Sequence, residues 1–195
     1  MNFDLLALLI FLFPLAFSPG PGNMLFAANG ARFGFRSTIA ATTGYHIATV
    51  IVTFALGFGF AKVVTMMPTV LKAIQVIGSL YVMWLAWQLW RAGKVENADA
   101  KPIGFWDGGI LLVLNPKAYV IIALMFSQFL GGGSNVADVA TVSVVFTLNN
   151  LVAFTLWTLV GDAVARLLLD EANARHLNRF FGGLLGLVGS WMLFS

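Results

Sequence analysis

No cysteine occurs in the 195-residue chain, which excludes disulfides, thiolate metal sites and thiol redox chemistry, and leaves the redox compartment open. Charge is scarce as well. Asp, Glu, Lys and Arg make up 10% of residues, where a soluble domain carries roughly 25%, and a soluble fold of this length could not cover its core with so little polar surface. The net charge of +3 is small and its Lys and Arg are scattered, so there is no nucleic-acid footprint. Met1, Asn2, Phe3 and Asp4 supply no basic n-region, and the apolar run that follows outlasts a signal peptide's h-region, so this segment is expected to be a retained helix. What is present is apolar: 59% of residues are hydrophobic and the mean hydropathy is +0.89. The solvent is therefore expected to be largely lipid, around a single transmembrane domain spanning 1–195.

A helix crossing a hydrocarbon core of ~30 Å needs about 20 apolar residues. Six segments meet or approach that length: 5–31, 37–61, 73–90, 108–137 (interrupted by Lys117), 139–160 and 177–194. With the N-terminus outside, the loops at 32–36, 91–107 and 166–179 face the cytoplasm. They hold Arg32, Arg36, Arg91, Lys94, Lys101, Arg166, Arg175 and Arg179, against Lys62 and Lys72 in the outer loops. This bias follows the positive-inside rule and places both termini outside. A reversal of the chain at 19–22 would instead give five spans and an inside N-terminus. The expected fold class is an all-α membrane protein of six transmembrane helices. Its halves, 1–92 and 105–195, are joined by a cytoplasmic linker at 93–104. Three spans per half makes the halves an inverted repeat, a common transporter architecture with helix breaks at corresponding places.

The breaks are visible. The first span of half one contains Ser18-Pro19-Gly20-Pro21-Gly22, and the first span of half two contains Asn115-Pro116-Lys117. Proline removes a backbone N–H and clashes with the preceding turn, and in lipid the freed groups must be satisfied by protein or water. Pro19, Gly20, Pro21, Gly22 and Asn23, with Asn115, Pro116 and Lys117, are therefore candidate substrate-binding residues. A half-helix N-terminus there suits a carboxylate, and Lys117 offers a charge for the same group; a kink, or a lysine snorkelling to water, is the plainer alternative. Asn149, next to Asn150 in span five, is a further candidate, against interhelical hydrogen bonding. His46, flanked by Tyr45 and Thr49, is the candidate proton-coupling residue, against a neutral packing role. Asn29 and Gln128 are weaker candidates for a polar lining. Asp162 and Arg166 read as an i,i+4 pair. Trp84, Trp87, Trp90, Trp106 and Trp191 suit an aromatic belt. Small-xxx-small spacing at Gly30 and Gly34, and at Gly182 and Gly186, permits close helix contacts, within the chain or in a homodimer.

In order and spacing these motifs resemble the LysE/RhtB family of amino-acid exporters over essentially the whole chain. The resemblance is carried by Ser18-Pro19-Gly20-Pro21, Asn29-Gly30-Ala31-Arg32-Phe33-Gly34 with Arg36, Gly44, Gly78-Ser79-Leu80-Tyr81 through Trp87 and Arg91, Gly104-Phe105, Leu114-Asn115-Pro116-Lys117, and Leu177-Asn178-Arg179 with Gly182 and Gly186. It implies export of amino acids or close derivatives across the bacterial inner membrane, driven by the proton-motive force. It implies no ATP, no cofactor and no enzymatic step, and it puts the proline motifs at the centre of the path. Members that handle basic amino acids tend to have an acidic residue where Thr49 stands. No span here has a deeply placed carboxylate, so a cationic side chain, or a metal ion needing hard ligands, finds no counter-charge. A small neutral substrate is the favoured expectation over a basic one. The stretch 100–106 resembles the branch exporting cysteine and O-acetylserine, with homoserine and threonine close behind.

Two readings from other classes compete. A Ser18–His46 pair would suit a membrane-embedded hydrolase, but no third group or nucleophile elbow is visible. A non-transporting structural subunit would move nothing.

Overall fold

The computed structural model describes residues 4–91, 101–130, 135–167 and 171–194. Most of the expected cytoplasmic linker, residues 93–100 of 93–104, lies outside the described residues. The described residues form seven α-helices and one 3-10 turn, with no strand among them: α1 (Leu5–Phe17), α2 (Pro21–Phe33), the 3-10 turn Phe35–Thr38, α3 (Ile39–Arg91), α4 (Phe105–Val113), α5 (Pro116–Phe129), α6 (Val136–Leu167) and α7 (Glu171–Phe194).

Polarity is arranged for lipid. Outward faces carry Leu6, Ile10, Phe13, Ile51, Leu148 and Leu187, all more than half exposed, while Asn23, Thr49, Thr53, Ser143 and Thr158 are buried. The buried threonine hydroxyls donate to the carbonyl four residues back, Thr49 to Tyr45, Thr53 to Thr49 and Thr158 to Phe154, so they reach the interior already partnered. Phe35–Gly59 and Val136–Arg166 are long and apolar enough to cross a bilayer, and each of the bent pairs α1–α2 and α4–α5 makes a further span if taken as one, giving up to four among the described residues. The other two expected segments, 73–90 and 177–194, are helical. They pack antiparallel, with Gly182 against Ala86 and Trp90 and Gly189 against Val82 and Met83.

Helix α3 is not straight. Gly44 lies against the Phe105 carbonyl, and Gly78 lies against the Leu114 carbonyl, at opposite ends of short α4. Straight α-helix would separate positions 44 and 78 by about 50 Å, whereas 105 and 114 are only about 14 Å apart. The chain therefore reverses between these contacts, and α3 supplies two legs that both lean on α4.

The two breaks share one cause. A residue before proline is pushed out of the α region. Ser18 (ψ 144°), before Pro19, and Gly20 (ψ 172°), before Pro21, are both extended; so is Asn115 (ψ 98°), before Pro116. Pro21 and Pro116 then open the next helices as N1 residues, where a missing N–H is harmless, and both pairs bend by 61°. The glycine pairs expected to permit close contacts make them within the chain: Gly30 against Thr158 and Gly182 against α3.

At Gly78 a Cβ would stand 1.9 Å from the Leu114 carbonyl oxygen, whereas at Gly109 the nearest atom would be 3.9 Å away. Gly78→Ala is accordingly expected to destabilise the protein by about 1–3 kcal/mol, and Gly109→Ala to leave it unchanged, by thermal unfolding in detergent.

Candidate substrate site at the two helix breaks

At its C-terminal end α1 leaves carbonyls that no helical N–H can reach, and each finds a named partner. The Pro14 carbonyl accepts the Ser18 N–H at 3.0 Å, and the Leu15 carbonyl accepts the Ser18 hydroxyl at 3.1 Å. The Ala16 carbonyl accepts Asn23 Nδ2 at 2.9 Å, and the Phe17 carbonyl accepts Trp157 Nε1 at 3.2 Å. The Ser18 carbonyl accepts both Asn23 Nδ2, at 2.9 Å, and Lys117 Nζ, at 2.7 Å. Lys117 Nζ also donates to Ser18 Oγ at 2.9 Å. One lysine thus ties the second break to the first across 99 residues of sequence.

The second break is finished in the same way. Tyr119 Oη donates to the Val113 carbonyl at 3.1 Å. Asn115 caps α5 by accepting the Lys117 N–H at 3.1 Å, and its Nδ2 donates to Tyr45 Oη at 3.2 Å. The N-terminus of α2 differs: it has no side-chain cap, and the first N–H to bond back is that of Met24, to the Gly20 carbonyl. The Gly22 and Asn23 N–H groups are left at the positive end of a helix dipole.

Between the breaks lies a cleft of about 310 Å³, counting all space between the atoms and the open solvent at its mouth. Gly20, Pro21, Gly22, Asn23 and Lys117 line one side. Tyr45, Asn115 and Asn150 line another, and Leu15, Ile121, Phe146 and Phe154 form apolar walls. It is narrow, since the Phe154 ring packs directly on Gly22. Among the described residues the lining holds no Asp or Glu, and Lys117 is its one charged side chain.

Most of the residues proposed from the sequence meet here: Gly20, Pro21, Gly22, Asn23, Asn115 and Lys117 line the cavity, with Pro19 and Pro116 setting its breaks. Asn149 does not. It faces a groove with Leu5, Leu9, Phe13 and Val152 on the outer side of α1 and α6; Asn150, one residue on, enters the cavity. The reason is helical register, because Phe146, Asn150 and Phe154 share one face at i, i+4, i+8. Gln128 is exposed, and Asn29 is buried away from the cavity, accepting the Ile103 N–H at 3.2 Å. Thr49 is fully buried and donates to Tyr45, outside the lining. His46 sits behind the wall, its ring 5.3 Å from Tyr45 and 5.5 Å from Phe154. Its Nδ1 is 2.7 Å from the Thr42 carbonyl, which can only accept, so Nδ1 carries the proton; Nε2 is buried without a hydrogen-bond partner among the described residues. Ser18 Oγ is engaged by Lys117 and Leu15 rather than by His46. The residues missed as site members are Tyr45, Asn150 and Phe154, and the i,i+4 stripe on α6 was the signal that marked two of them.

The family described as LysE type translocator matches residues 13–195. The chain is 27% identical over 176 residues to the cysteine/O-acetylserine efflux protein of Salmonella typhimurium (strain LT2), covering 89% of this chain and 87% of that protein. It is 28% identical over 166 residues to the protein of the same description in Escherichia coli (strain K12), covering 84% of each. No solved structure matches the chain.

Asn23→Leu removes the donor shared by the Ala16 and Ser18 carbonyls. Leaving the buried Ala16 carbonyl unpaired is expected to cost about 1–3 kcal/mol, measurable as a lowered unfolding temperature in detergent.

Proposed function

Because this chain belongs to the LysE type translocator family, and is a transporter rather than an enzyme, we propose that it exports small amino acids with uncharged side chains through the cavity between the two helix breaks. The observation that carries this is the composition of the cavity wall. It offers the α2 N-terminus and Lys117 to a carboxylate, Tyr45 and Asn150 to an ammonium group, and no acidic side chain to a second positive charge. A lysine or arginine substrate would place its side-chain cation beside Lys117 or the apolar walls with no counter-charge. Cysteine, O-acetylserine, homoserine and threonine fit this description. The efflux proteins similar to this chain carry the first two in their descriptions, which supports that branch.

In this reading the protein crosses the bacterial inner membrane six times. The bent pairs α1–α2 and α4–α5 each count as one span, the two legs of α3 as two, and α6 and α7 as one each. Halves of three spans each are then inverted repeats, with both termini outside and the loops at 32–36, 91–107 and 166–179 in the cytoplasm. The reversal of α3 and the equal bends support that count. Rocking of one half on the other would carry the site outward, with export driven by the proton-motive force. His46 is the proposed proton carrier: its Nε2 is the acceptor left open by the Nδ1–Thr42 bond, and its ring touches the wall residues Tyr45 and Phe154.

In inside-out vesicles, labelled O-acetylserine, cysteine, homoserine or threonine is expected to accumulate when a pH gradient is imposed, and lysine is not. Asn150→Ala is expected to cut that uptake at least about tenfold, the equivalent of one lost hydrogen bond to a charged group, while Asn149→Ala leaves it near the wild-type rate. Uptake of lysine in preference to the neutral compounds would overturn the assignment of substrate class, and equal loss from both asparagine variants would overturn the assigned face of α6.

A further inference from the structure

The broken end of α1 presents a feature that the transport reading does not require. A half-helix C-terminus carries partial negative charge on its carbonyls, and in transporters built from broken helices such ends commonly coordinate a free monovalent cation. Here Lys117 Nζ occupies that position, donating to the Ser18 carbonyl at 2.7 Å and to Ser18 Oγ at 2.9 Å. The slot is shaped for its stem: a Cβ on Gly20 would come within 3.0 Å of both Lys117 Cδ and Nζ. No Asp or Glu lines the cavity, so the helix end and the serine oxygens are the partners the ammonium has there.

We infer that the end of α1 is a monovalent-cation site permanently filled by the protein's own tethered ammonium, and that this ammonium holds the two halves together in place of a free ion. The site selects a primary ammonium because its two oxygens both belong to Ser18 and accept directed N–H bonds. The third N–H remains for the cavity. Tethering removes the cation from the solution equilibrium, so the protein has no use for sodium.

The test needs no transported substrate. In purified, detergent-solubilised protein, Lys117→Ala is expected to lower the unfolding temperature by about 5–10 °C, as for loss of a charge-assisted pair. n-Propylammonium, which replaces the deleted stem and charge, should restore most of that loss at tens of millimolar. Tetramethylammonium, a cation without N–H donors, should restore none, and the wild type should respond to neither, nor to exchange of sodium for choline. An unchanged unfolding temperature in Lys117→Ala, rescue by both amines or by neither, or stabilisation of the wild type by sodium would overturn the inference. Should Lys117→Ala fail to assemble, Lys117→Met keeps the stem and deletes the charge. Nitroxide labels on Phe13→Cys and Leu124→Cys, in a chain with no native cysteine, then report the α1–α5 separation. A broader distribution than in the unsubstituted Lys117 protein supports the tethered cation, and an identical one overturns it.

Discussion

A peptide carbonyl that finds no hydrogen bond inside a membrane costs several kcal/mol, and the proline breaks create such carbonyls at mid-protein. The rest of the interior is arranged around satisfying them. Asn23 turns back from α2 to cover Ala16 and Ser18, Trp157 reaches in from α6 to Phe17, Tyr119 covers Val113, and Lys117 crosses from α5 to Ser18. Each of these side chains is fixed by a backbone group, so the breaks organise α6 besides their own four helices. Substituting Asn23 leaves the buried Ala16 carbonyl without its donor, which is a larger loss than the bond itself contributes.

The two breaks have the same backbone cause and the same bend, yet they are chemically unequal. The second is closed: Asn115 caps α5 with its own side chain and hands its amide to Tyr45. The first is open, since α2 begins without a side-chain cap and presents two unpaired N–H groups near a lysine supplied by the other break. A carboxylate is the group that such an arrangement completes, because it accepts from N–H donors and neutralises an ammonium at once. The two breaks thus meet at one polar cavity rather than two, with donors from one break and the charge from the other.

Much of this was legible in the sequence, for a physical reason. Lipid forbids unpaired backbone, so a cluster of prolines and glycines inside an apolar run announces a buried break, and two such clusters at matching places announce a shared site. Lys117, Asn23 and Asn115 were found because they adjoin the breaks. Asn150 was passed over for Asn149 because adjacent helical residues differ by only about 100° of rotation, and choosing between them needs the register of Phe146 and Phe154 against α2. Tyr45 was invisible as a wall residue, since its contact with Asn115 spans 70 residues and depends on how α3 leans on α4. The reversal of α3 could be expected from the polar residues between two apolar runs. That both legs would rest on the two ends of α4, through Gly44 and Gly78, is a property of packing that no spacing in the sequence encodes.

The apolar walls decide what else the site admits. Gly22 packs so closely on the Phe154 ring that a Cβ would meet it at 2.6 Å, and Phe154 in turn lies tilted at 4.5 Å from Tyr45 and meets Phe26 edge-on at 4.9 Å. With so little free space, an amino acid enters only if rings on α6 swing away, and the rings that must move, Phe146 and Phe154, flank Asn150 on one helical face. If the cavity takes the substrate, reading of its polar group and opening of the cavity would fall to the same stripe of α6. A large side chain would need those rings displaced further into a close-packed aromatic cluster, where interiors resist added volume. In that reading the limit on substrate size would follow from the same residues that supply its hydrogen bonds, and the lack of Asp and Glu in the lining would set the limit on its charge.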